Sequence, residues 1–104
     1  MFDKNKEKHA QELPTLRSVR RACSRELYRT AKRLKVWIPP DKMEEAEKLY
    51  LKKVAGHLVW IAENNSNRKL LSDWWRDNVA DDIAALWNVE KEPLVKAFRE
   101  AFGG

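Results

Sequence analysis

The stretch TLRSVRRACSRELYRTAKRLKV, residues 15–36, decides how this chain folds. An α-helix turns about 100° per residue. With Arg17 set at zero, Leu16, Val19, Cys23, Leu27, Thr30 and Leu34 fall between roughly 200° and 280°. Arg17, Arg21, Arg25, Arg29, Lys32, Arg33 and Lys35 fall between roughly 0° and 160°. One side is greasy, the other cationic, and the segment reads as an amphipathic helix. Arg20 sits on the edge of the apolar sector, where it snorkels or pairs with a carboxylate of another helix.

The chain on either side follows the same logic. Trp37-Ile38-Pro39-Pro40 stops the first helix, because a residue before proline avoids the α region. Asp41 reads as the N-cap of a second helix, with Glu44 three residues on. Met43, Ala46, Tyr50, Val54, His57, Leu58 and Ile61 share its inner face, and Glu44 and Lys48 make a favourable i,i+4 pair. The turn from Leu58 to Ile61 is apolar almost all round and is expected to be buried on several sides.

Asn64-Asn65-Ser66-Asn67 is a polar turn, and Asn65 or Ser66 is expected to cap a third helix. Run unbroken to Asn88, that helix carries Leu71, Trp74, Trp75, Val79, Ala85 and Leu86 on one face. Asn78 and Asp82 then land among them and need partners, such as Arg20 or His57. The alternative is a break near Asn78. The unbroken form is favoured, because the stretch holds neither Gly nor Pro. Pro93 suits the first position of a last helix, whose apolar face is Leu94, Val95, Phe98, Ala101 and Phe102 and whose stop is Gly103. No segment alternates apolar and polar residues as a strand does. The expected fold is all-α: a compact bundle of four to five helices over residues 14–104, behind a mobile polar tail over residues 1–13.

The chain's 104 residues allow one small domain. Its net charge is +5, unevenly spread: residues 1–38 hold eleven Lys and Arg against four Asp and Glu, and the remainder is slightly acidic. A local cationic field attracts phosphate backbones, anionic lipid heads or acidic protein surfaces. One Cys excludes an internal disulfide framework. No apolar run approaches the length of a membrane span, and the first residues lack the apolar core of a secretory signal. A cytoplasmic protein without a transmembrane segment is the expectation.

Sites for chemistry are scarce. Cys23, His9 and His57 are too scattered for a zinc site, and no Glu-x-x-His pair supports a di-metal bundle. Cys23 lies in the apolar sector, as a small buried hydrophobe does, and His57 is read as a core histidine. With three glycines there is no phosphate-cradling loop. No catalytic residue, metal ligand or cofactor is assigned, and the protein is expected not to be an enzyme.

The cationic sector is the strongest lead. Tyr28 falls inside it, beside Arg17, Arg21, Arg25, Arg29, Lys32 and Arg33. Phosphate attraction beside a stacking ring is how single-stranded nucleic acids are held. The expected role is a binding module that contacts nucleic-acid phosphates with little regard to sequence. The second expectation is a protein–protein adaptor or homodimer. There the basic helix meets an acidic surface such as the Asp73, Asp77 and Asp81 stripe of another copy, around an exposed Trp87. Membrane-surface binding ranks below both, because the apolar sector is committed to the core.

Overall fold

The computed structural model describes residues 13–104. The expected tail falls outside the described residues apart from Leu13. The all-α reading holds: six helices, α1 (Leu16–Leu34), α2 (Pro40–Gly56), α3 (Leu58–Glu63), α4 (Arg68–Asn78), α5 (Ala80–Trp87) and α6 (Lys91–Phe102). Among the described residues there is no strand.

Helix α1 forms where its periodicity places it. The Thr15 hydroxyl accepts the Ser18 N–H at 3.1 Å, a side-chain N-cap. At the other end Lys35 turns left-handed (φ 59°), and its N–H closes the helix on the Ala31 and Lys32 carbonyls. Cys23, Leu27, Thr30 and Ala31 are buried. Leu16 is the exception in that sector, 65% exposed at the first turn. α1 packs chiefly on α6 and α2. The Thr30 hydroxyl, which would be orphaned there, donates to the Glu26 carbonyl at 2.7 Å.

Two long helices expected from the pattern are each interrupted, which turns four or five into six. The second stops at Gly56, the poorest helix former short of proline, and His57 leaves the helical region (φ −129°, ψ 26°). The new direction of α3 turns Val59 and Trp60 outward, so the expected burial of this turn on several sides is reduced to one, where Leu58 and Ile61 pack half-buried against the core. His57 is exposed too, with its ring edge-on to Trp74 at 5.5 Å. The start of α2 also differs. Pro40 takes the first helical position and Pro39 the cap, which leaves Asp41 in the first turn rather than capping.

The third helix breaks at Val79 (φ −120°, ψ −38°), against the favoured unbroken form. Asn78 takes the place of an outside partner by donating its own amide to the Trp74 carbonyl at 2.9 Å. The break resets the rotational phase of α5. Asp82 therefore faces solvent and pairs with Lys53 at 3.5 Å, not with Arg20 or His57. Trp87 swings the other way into the core, 6% exposed, and donates its Nε1–H to the Lys42 carbonyl at 3.2 Å. The cap of α4 is Asn67, whose Oδ1 accepts the Leu70 N–H, rather than Asn65 or Ser66. α6 begins at Lys91, so Pro93 is its third residue, still in the turn whose N–H groups lack intrahelical partners. Gly103 ends it at φ 91°, as expected.

The centre of the core is aromatic. Trp75 of α4 stacks on Phe98 of α6 with centroids 3.9 Å apart and planes 4° from parallel. Tyr50 of α2 meets both rings edge-on, at 6.2 and 6.4 Å. Trp75→Ala should cost about 3–5 kcal/mol, read by urea unfolding followed by circular dichroism. Asp82→Ala should stay within about 0.5 kcal/mol, as an exposed pair dictates.

Candidate nucleic-acid interface

The face opposite the buried stripe of α1 is made of Arg17, Arg21, Arg25, Tyr28, Arg29, Lys32 and Arg33, all exposed. Arg20 is exposed as well. Arg17, Arg20, Arg21 and Arg25 line one shallow groove with Ser24 and with Glu47 of α2. Glu47 is engaged there by the Ser24 hydroxyl at 2.8 Å. Among the described residues, no ion pair engages any of these arginines or Lys32. Tyr28 stands 57% exposed among them.

The one acid of α1, Glu26, does not neutralise this face, because it turns inward. Its Oε1 accepts the Tyr50 hydroxyl at 2.5 Å. Burial pushes the Glu26 carboxyl above its ordinary range, against the Tyr50 hydrogen bond and the fields of Arg68, Arg25 and Arg29, which act the other way. Burial, then the nearby Glu26 charge, also keeps the Tyr50 phenol protonated and able to donate. Cys23, close by, is pushed up to about 12, chiefly by burial and then by Glu26 and Glu47. It stays a thiol at neutral pH and has no nucleophilic character.

Sequence reasoning left one residue unassigned. Trp37 is 78% exposed, the most exposed of the large apolar side chains among the described residues. It sits two residues past the Lys35 cap of α1, between exposed Val36 and buried Ile38. Ile38 anchors the loop in the core while Pro39 and Pro40 stiffen it, so Trp37 is held outward at the basic end of α1. The signal was present in the sequence: an apolar anchor and two prolines beside a tryptophan fix which of the two neighbours goes inside.

The acidic stripe is a different case. Asp73 receives Arg99 at 2.6 Å, with Lys69 at 3.5 Å and Arg76 at 3.6 Å. Asp77 holds Arg76 at 2.9 Å, and Asp81 holds Lys91 at 3.1 Å. The Arg99 hydrogen bond holds the Asp73 carboxyl below the usual carboxylate range, and Arg76 does the same for Asp77. The stripe is matched by the chain's own cations, and Trp87, expected at its surface, is buried. Among the described residues no helix is long and apolar enough to cross a membrane. Nor do three His, Cys, Asp or Glu side chains among them gather as metal ligands would.

The raised Glu26 carboxyl has a pH consequence. The folded chain keeps this proton to a higher pH than the unfolded chain, whose carboxyl ionises near 4.5. From there upward the unfolded state holds fewer protons, so stability falls as pH rises, until the folded-state group has ionised too. Asp73 and Asp77, with lowered carboxyls, act in the opposite sense at lower pH. The comparison with Glu26→Gln isolates the effect: the variant should gain stability on the native chain as pH rises from about 4 to 7, measured by urea midpoints at each pH. A difference that does not change with pH would contradict the assignment. Comparison with known protein families, with curated proteins and with solved structures finds no match, so the functional reading rests on this chain's own geometry.

Proposed function

We propose that the protein is a small nucleic-acid-binding module whose α1 face holds phosphates and whose Tyr28 and Trp37 stack on unpaired bases. The observation that carries this reading is the imbalance between the two charged surfaces. The acids of α4 and α5 are matched internally, whereas the cations of α1 have no such partner among the described residues. Arg17, Arg21, Arg25, Arg29 and Arg33 also recur every four residues. Like charges at that spacing are neighbours on a helix and destabilise it by about 0.2–0.5 kcal/mol per pair. A ladder that weakens its own helix and forms no ion pair among the described residues is the pattern expected where an external polyanion is the partner.

Arginine suits the task, since its planar fork matches phosphate oxygens and stacks on bases. Contacts to phosphate position the strand without reading its sequence. The two exposed rings favour a single strand, whose unpaired bases offer faces to stack on. The adaptor reading loses ground, because its acidic stripe is occupied and its tryptophan is inside.

Affinity for a single-stranded oligonucleotide should fall steeply with salt, with a log–log slope of about −4 if about six phosphates are engaged. Reversing Arg21 and Arg25 together to Glu should reduce binding by on the order of 100-fold at ~50 mM salt. Trp37→Ala should lose about 1–3 kcal/mol per stacked base. Fluorescence anisotropy with a labelled oligonucleotide reads all three, and absence of binding at ~50 mM salt would remove the proposal.

A further inference from the structure

Behind α1 a partly enclosed cavity of about 280 Å³ opens between α2, α3, α4 and α6. It is nearly twice the size of an apolar cavity of ~150 Å³ that binds benzene. Its walls are mostly apolar and include Leu58, Ile61, Leu71, Trp74 and Phe98. Into this lining the fold places one carboxylate, Glu26. Its Oε1 accepts from Tyr50, and its Oε2 accepts no hydrogen bond among the described residues. The cavity thus offers an aromatic wall and one acceptor oxygen that no described residue engages. Arg68, also on the lining, is held with its guanidinium 4.4 Å from the centre of the Phe102 ring.

We propose that this cavity binds a small aromatic amine, its ring against Trp74 and Phe98 and its ammonium group on the open Glu26 oxygen. This site uses none of the cationic residues assigned to nucleic acid, so the two proposals stand or fall separately. A carboxylate in an apolar pocket is costly unless paired. Tyr50 supplies one hydrogen bond and the surrounding arginines a distant field, yet burial still outweighs them. A bound ammonium supplies the missing charge at contact distance, and it is favoured by aromatic faces through their quadrupoles. A bound carboxylate seated against Trp74 and Phe98 in the same way would meet Glu26 and be repelled, with Arg68 engaged over the Phe102 ring. An equally sized neutral molecule would fill the apolar wall and leave the charge uncompensated.

The test is a titration of the full chain with 2-phenylethylamine, 2-phenylethanol and phenylacetate, followed by the Trp74 indole N–H signal in ¹H–¹⁵N spectra. This group has no hydrogen-bond partner among the described residues and belongs to a lining side chain. The amine should bind at least tenfold more tightly than the alcohol, and the acid should bind least. Glu26→Gln should abolish that preference while the chain remains helical. Ser18 is exposed on the cavity's lining, so Ser18→Trp should obstruct entry without touching the core, and amine binding should be lost. Binding of the acid or the alcohol as tightly as the amine would overturn the proposal. So would failure of the amine to shift the Trp74 signal, or its unchanged binding to Ser18→Trp.

Discussion

The Trp75–Phe98 stack is the contact on which the rest of the molecule depends. It joins α4 to α6, and Tyr50 joins α2 to both through two edge-on contacts. α1 is laid across this centre by Cys23 and Leu27. A chain of this size buries a limited fraction of its surface, and its total stability is expected to be of order 5–15 kcal/mol. Large flat rings let few residues carry much of the burial. Two ends of the arrangement are less comfortable: the Trp75 indole N–H and the Ser72 hydroxyl are buried without partners among the described residues. Each is the kind of cost that close aromatic packing imposes on polar atoms at its margin.

Once α1 is fixed by its apolar stripe, its charged face has no freedom. The helix cannot rotate to hide arginines without pulling Leu27 and Cys23 out of the core. The acids of α4 are held elsewhere, Asp73 by Arg99 and Asp77 by Arg76. The outward cationic ladder is therefore a consequence of packing as much as of composition. This separates it from a scattered basic surface, where pairs rearrange at little cost.

How much of this was legible in the sequence depended on whether periodicity stayed in phase. For α1 it did, from the Thr15 cap to the left-handed Lys35, and both the buried stripe and the basic face were readable. Phase was lost at Gly56 and at Val79. Gly56 was a visible weak point inside an otherwise persuasive pattern. Val79 was not, since a β-branched residue sits in helices often enough and the break is fixed by Asn78 turning its amide onto the Trp74 carbonyl. That slip carried two residues to the wrong side: Asp82 went out and Trp87 went in. The cavity was invisible for a different reason, because its lining comes from five helices whose meeting is a tertiary fact. Glu26 alone left a trace, as the one acid in the basic helix.

The basic face and the cavity lie on two sides of one helix, and their fields overlap. Arg25 and Arg29 help keep Glu26 ionised. An anion on those two arginines makes the potential at Glu26 more negative, which favours a cation there and a proton in competition with it. A cation on Glu26 in turn removes the negative charge nearest to them, leaving a stronger attractor for phosphate. Linkage requires the two effects to be equal in size. With the arginines in solvent the coupling is on the order of 1 kcal/mol or below, and salt screens it. A single α-helix with its only carboxylate turned inward thus sets opposite charges on its two sides, within reach of each other's fields.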